Sequence, residues 1–333
     1  MAEGRLLRQL IKAGAGHGSE EFRAAAEEMI REERAKKHHL LANDLERILY
    51  GETNDGYQRV SNIRREIPKD RERGLPLVEI RQPVRDLKDV ILSDENSSVL
   101  EEVLLEQSRT ELLAGYGLKP VSRLLFCGPP GCGKTSSAEV LATELGLELV
   151  IVRFDAVVSS FLGETAANLR KVFDFLEAER VVGLFDEFDA IGKEREDPAE
   201  HGELKRVINS FLQMMDGYRG KSLLFAATNH ERLLDRAIWR RFDEVLMFDL
   251  PNLEQIRQLM QVKLRGVRYD LPLEDRSFIN QLKGFTHADI ERILTKAVKS
   301  MVLKGREFLT WELVEEARKR EEERQTIVNR RGE

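Results

Sequence analysis

The eight residues Gly128, Pro129, Pro130, Gly131, Cys132, Gly133, Lys134 and Thr135 constrain this chain more than any other feature. They fit the pattern of a glycine, four residues, then Gly-Lys followed by Ser or Thr. An apolar run, LLFC at 124–127, precedes them and a helix-compatible run, SSAEVLATEL, follows. A strand, a glycine loop and a helix in that order turn successive backbone N–H groups and a helix N-terminus toward one point, a ready site for phosphates. Lys134 then supplies a point charge to the β- and γ-phosphates, and the Thr135 hydroxyl is placed to bind Mg²⁺. ATP with its magnesium ion is the expected ligand. Cys132 stays open to two readings, a thiol made reactive by the helix N-terminus or an inert one, the second being preferred.

A second segment fits the first. The run VVGLFDEFDA at 181–190 is an apolar strand that ends in acids, so Asp186 is expected at the C-terminal edge of a sheet, beside the phosphates and the metal. Glu187 is then suited to orient or deprotonate an attacking water.

Apolar runs alternate with helical stretches along the middle of the chain: LLFC, LVIV at 149–152, VVGLF at 181–185, LLFAA at 223–227 and VLMF at 245–248. Five such runs predict an α/β domain, a five-stranded parallel sheet with flanking helices, over 86–250. After Pro251 the pattern is helical, which predicts a small all-helical lid over 251–323 and a flexible tail over 324–333. Residues 1–51 read as a small helical bundle, with Ser19 a helix start and Gly51 a helix stop. Between them, 52–85 is charged and punctuated by Gly56, Gly74, Pro68, Pro76 and Pro83, the pattern of a linker.

Composition excludes several classes. The two cysteines, Cys127 and Cys132, lie in one short segment and can build neither a disulfide framework nor a four-ligand zinc site. No apolar run nears the roughly 20 residues that cross a bilayer, so no membrane partner and a cytoplasmic location are expected. The net charge of −6, with Lys and Arg interleaved among Glu, disfavours nucleic acid as a partner.

Taken together with later segments, these motifs resemble the AAA family of P-loop ATPases over roughly residues 86–315. SLLFAATNH at 222–230 is similar to the strand that ends in the family's sensor asparagine, here Asn229, which the resemblance sets against the γ-phosphate or the attacking water. LLDRAIWRRFDEVLMF at 233–248 resembles the second region of homology, whose arginines reach a neighbouring subunit's ATP; Arg240 and Arg241 match them. Many members separate the two arginines by two residues, whereas here they are adjacent, and which one dominates stays open. GFTHADIERIL at 284–294 resembles the helix start that borders adenine and ribose, with Ala288 matching the pattern and His287 standing where glycine is usual. The ring of His287 is expected either to stack on adenine or to face solvent. Adenine contacts near Tyr116 and Gly117 are implied in the same way.

SSFLGETAANLRKVF at 159–173 matches the place where protein-translocating members carry a pore loop, here Phe161, Leu162 and Gly163. An aromatic there grips extended polypeptide without regard to sequence. A second pore-facing loop is expected at 194–203. The resemblance therefore implies a homo-oligomeric ring, a hexamer, that threads a protein substrate, with the N-terminal bundle as substrate or adaptor module and a separate protease as a further partner. The other two readings are a nucleic-acid remodeller built on the same ATPase and a nucleotide-gated scaffold.

Overall fold

The computed structural model describes residues 30–31, 66–71, 74–157, 162–187, 198–230 and 236–332. The expected helical bundle, apart from residues 30 and 31, lies outside them, as does the expected linker up to residue 65.

In chain order the described helices are α1 (Asp94–Ser108), α2 (Thr110–Gly115), α3 (Lys134–Leu145), α4 (Phe154–Val157), α5 (Leu162–Ala178), α6 (Pro198–Gly217), α7 (Arg236–Trp239), α8 (Leu253–Lys263), α9 (Arg276–Asn280), α10 (His287–Leu303) and α11 (Trp311–Gly332). The five apolar runs form β2 (Arg123–Cys127), β3 (Leu149–Val152), β4 (Val182–Phe185), β5 (Leu223–Thr228) and β6 (Glu244–Met247). They are parallel neighbours in the order β3-β4-β5-β2-β6. Their residues alternate between two cores, as a period of two requires. Leu125, Cys127, Val150, Leu224 and Ala226 point to the face covered by α5 and α6. Leu124, Phe126, Leu149, Leu223 and Phe225 point to the face covered by α1 and α3. A sheet covered on both sides leaves no solvated face, which explains why these strands read as continuous apolar runs.

One strand corrects the linker expected through Arg85. Residues Val78–Arg81 form β1, antiparallel to β3, with Val78 opposite Val152 and Arg81 opposite Leu149. Leu77 and Val78 are buried in the first core. The segment before it is also held: the Asn168 amide on α5 donates to the Asp70 carboxylate at 3.1 Å, both residues being buried. A four-residue edge strand flanked by prolines carries too little periodicity to be legible.

Beyond Pro251, helices α8 to α11 enclose a separate core of Ile256, Met260, Leu282, Ile290, Ile293 and Val314. This lid is not wholly helical, because β7 (Tyr269–Asp270) and β8 (Leu309–Thr310) pair within it. Residues 324–332, expected as a tail, continue α11. Ion pairs within that helix, Glu316 with Arg320 and Arg318 with Glu322, extend its charged surface in register.

Candidate functional site

The loop at 128–133 leaves β2 and enters α3, so its position is fixed by an interior strand of the sheet, held between β5 and β6. Gly128 has φ +138°, and a Cβ there would fall 2.0 Å from the Phe248 carbonyl oxygen, so only glycine lets the chain turn this closely against β6. Pro129 and Pro130 stand exposed at the loop tip. Gly133 caps α3 in the left-handed region and frees the first N–H groups of that helix.

Lys134 is 6% exposed. Its ammonium donates to the carbonyls of Gly128 at 2.6 Å and Pro129 at 2.8 Å, and to Oδ1 of Asn229 at 2.8 Å. Thr135 donates its hydroxyl to Oδ2 of Asp186 at 2.8 Å. Asp186 follows β4 and Asn229 follows β5, so the C-terminal ends of three adjacent parallel strands deliver the lysine, the acid and the amide to one place. The expected Lys134, Thr135, Asp186 and Asn229 thus come together.

Glu187 lies next to them with an exposed side chain, and its backbone N–H donates to Oδ1 of Asp186 at 2.9 Å. Its φ is +52°, the one positive value outside glycine among the described residues. A bulky residue held in the left-handed region costs on the order of 1 kcal/mol, and such positions cluster where function fixes the backbone.

The lid closes the other side of the cradle. Ala288 donates its N–H to the Gly131 carbonyl at 3.0 Å. A Cβ on Gly131, whose φ is +76°, would approach Oγ1 of Thr286 to 2.9 Å and Cβ of Ala288 to 3.0 Å. Thr286 and Asp289 form a reciprocal cap on α10, each side chain bonding the other's backbone N–H at 3.1 Å. Neither this cap nor its contact with the loop was read from the sequence.

His287 is not the solvent-facing ring that one of the two expectations required. Both ring nitrogens are shut off from solvent and have no hydrogen-bond partner. Burial pushes the imidazole down to about 4. Cys132 is buried as well, and burial pushes its thiol up, the condition of an unreactive cysteine. Tyr116 ends α2 with its ring exposed.

Arg240 and Arg241 are not brought to this cradle. They precede β6, which runs parallel to β2 with Leu124 opposite Glu244 and Cys127 opposite Met247. The arginines therefore sit where β2 begins, near the Asp243 N–H that donates to the Arg123 carbonyl at 2.9 Å, and the cradle lies where β2 ends. The intervening strand spans roughly 16 Å at about 3.3 Å per residue. Arg240 is exposed, whereas Arg241 donates from Nε to Asp216 at the end of α6 at 3.1 Å. That aspartate carried no signal in the sequence. Phe161 and residues 194–197 lie outside the described residues, and Leu162 and Gly163 open α5. Among the described residues no helix is long and apolar enough to cross a membrane.

Residues 124–250 match the family described as "ATPase family associated with various cellular activities (AAA)". An uncharacterized AAA family ATPase of Sinorhizobium fredii is 42% identical over 311 residues, which are 92% of this chain and 91% of that protein. A proteasome-activating nucleotidase of Sulfurisphaera tokodaii is 30% identical over 66% of this chain and 57% of its own length. The ATP-dependent zinc metalloprotease FtsH 2 of Petrotoga mobilis is 30% identical over 69% of this chain and 38% of its own length.

Proposed function

The chain belongs to the AAA family of ATPases and hydrolyses ATP, and from that premise we propose that it is a ring-forming motor that remodels or unfolds protein substrates by threading them through a central pore. The observation that carries the ring is the separation of the arginines from the cradle. A guanidinium at the far end of β2 does not reach its own subunit's phosphates, so an arginine that serves hydrolysis comes from a second copy. The observation that favours a protein substrate is the similarity to relatives named for proteolysis, a proteasome-activating nucleotidase and a metalloprotease.

In the proposed site, backbone N–H groups of 131–135 and the Lys134 ammonium hold the triphosphate. The donor set fits magnesium: Thr135 and Asp186 offer a hydroxyl and a carboxylate, hard oxygen ligands, and would hold the ion. When bound, that ion neutralises charge on the β- and γ-phosphate oxygens. Glu187 orients the attacking water and accepts its proton, and the Asn229 amide fixes the geometry around the γ-phosphate. Arg240, exposed in its own subunit, stabilises the charge of the transferring phosphoryl in the neighbour's site. ATP with Mg²⁺ is the ligand set, six copies form the ring, and Phe161, Leu162 and Gly163 line the pore. Residues 1–51 recruit substrate or an adaptor, and the motor can feed a separate protease.

Two measurements on the full chain test this reading. Turnover per subunit should rise with protein concentration as rings form; turnover independent of concentration over a thousandfold dilution overturns the shared site. Unfolding of a tagged fluorescent substrate should require ATP hydrolysis, and Phe161→Ala should lower the substrate unfolded per ATP consumed. An unaltered ratio overturns threading.

A further inference from the structure

The nucleotide lid is tied to the C-terminal helix by a set of charged side chains that the hydrolysis site does not use. Asp289, the third residue of α10, is 5% exposed. Besides capping Thr286, its carboxylate accepts from Arg292 and, at 3.0 Å, from the amide of Gln325 on α11. Glu321, one turn before Gln325 on the same helix, is 0% exposed. It accepts from Arg292 at 3.0 Å, Lys296 at 2.7 Å and Arg324 at 2.7 Å. Burial opposes the charge on Glu321, yet the hydrogen bonds from Lys296, Arg324 and Arg292 hold it ionised, near a pKa of about 2.

A fully buried carboxylate surrounded by three cations is a poor device for stability alone. Taking the Glu321 carboxylate out of water costs several kcal/mol, and an apolar residue of similar volume often stabilises a fold as well or better. What the arrangement supplies is a fixed position. Arg292 bridges Glu321 and Asp289, and Gln325 reaches Asp289 directly, so α11 holds the first turn of α10 from two sides. That turn carries Thr286 and Ala288 against Gly131 of the cradle.

We propose that Glu321 is a positioning residue for nucleotide binding: with Arg292 and Gln325 it sets the distance between the lid and the phosphate cradle, and thereby the affinity for ATP and ADP rather than the rate of the chemical step. This rests on the reading of 128–135 as the nucleotide cradle. The C-terminal helix is therefore part of the nucleotide site without touching it.

The test uses the full chain, with calorimetric titration of ADP and steady-state ATP hydrolysis. Binding of ADP by the wild type establishes the cradle independently of the variants. Glu321→Gln removes the charge and turns an amide toward three cations; ADP affinity should fall and the KM for ATP rise by about tenfold, with kcat within twofold of wild type. Gln325→Ala, which removes one bond from a partly exposed side chain, should raise both constants by about threefold and decides alone if the first variant does not fold. Arg318→Ala is the control, since among the described residues Arg318 pairs with Glu315 and Glu322 on its own helix. Unaltered KM and ADP affinity in Gln325→Ala, or an equal rise in Arg318→Ala, overturns the proposal and leaves the network a structural one.

Discussion

The Lys134 ammonium and the Asn229 side-chain oxygen meet at 2.8 Å, one from the first residue of α3 and the other from the residue after β5. In the proposed site both groups would serve the γ-phosphate, which would then exchange with a partner that each already has. Asn229→Ala removes the amide that fixes that place while leaving the backbone cradle whole. The expected result is a fall in kcat of roughly 10- to 100-fold with ADP affinity within a few fold of wild type. An equal loss of ADP affinity would instead assign Asn229 to ground-state binding.

Glu187 occupies a left-handed backbone position immediately after a buried strand. A strained position of this kind fits the catalytic role proposed for its carboxylate. Glu187→Gln keeps size and hydrogen bonding but not basicity. It should bind ATP, lower kcat by roughly 100-fold or more, and hold the assembled ring in its ATP-bound state. Single-turnover measurement with radiolabelled ATP checks it, and wild-type turnover would remove Glu187 from the mechanism.

The two adjacent arginines differ in their surroundings. Arg241 is engaged by Asp216, while Arg240 is exposed. Arg240→Ala should therefore lower kcat by roughly 100- to 1,000-fold, whereas Arg241→Ala, which breaks a pair with Asp216 inside one subunit, should lower it less. Mixing Arg240→Ala with Glu187→Gln subunits should restore part of the activity, because some interfaces then combine an intact glutamate with an intact arginine. Absence of any recovery argues against sites shared between subunits.

The legible parts of this chain were those in which chemistry demands particular residues at fixed spacing. Residues 128–135, Asp186 and Asn229 all lie at strand ends, and continuous apolar runs mark those strands because both faces of the sheet are covered. Less legible were features that depend on what an element packs against. β1 is four residues long between prolines, so its pairing with β3 is decided by the exposed edge of the sheet and not by its own pattern. The charges of α11 read as Lys and Arg interleaved with Glu, and nothing in their spacing distinguished Glu321, which is buried, from Glu322, which is exposed. His287 was ambiguous for the same reason: the lid decides which way a helix-start side chain turns.

The packing of residues 66–71 and 74–81 has an energetic consequence. Asp70 is a buried carboxylate that accepts from Asn168 on α5, and the Lys171 ammonium donates to the Lys69 carbonyl at 2.8 Å. Asn168→Leu retains volume but removes one hydrogen bond to the buried Asp70 carboxylate, at a cost of about 1–3 kcal/mol. Thermal unfolding should move down by several degrees, and amide exchange should rise in β1 and at the start of α5. If exchange in β1 stays at the wild-type level, the segment is held by its backbone pairing alone.

The buried imidazole of His287 gives the lid a pH dependence with a definite sign. Its pKa in the folded chain is lowered from 6.5 to about 4 by burial, so across that interval the unfolded chain takes up a proton that the folded chain does not. Stability from this group is present in full above about pH 6.5 and is lost as pH falls toward 4, by at most ~1.4 kcal/mol per pH unit. Glu321 contributes in the same direction but lower, since its pKa is depressed from 4.5 to about 2 and its charge is lost only below the ordinary carboxylate range. The interval from pH 6.5 to 5 therefore belongs mainly to His287. In His287→Leu the titrating group and its two unpaired nitrogens are both gone, so the midpoint of denaturant unfolding of the lid should be nearly constant over that interval and no lower than wild type at pH 7.5. A decline as steep as that of the wild type between pH 6.5 and 5 would show that His287 is exposed in solution, because only a group that titrates alike in both states leaves the slope unaltered.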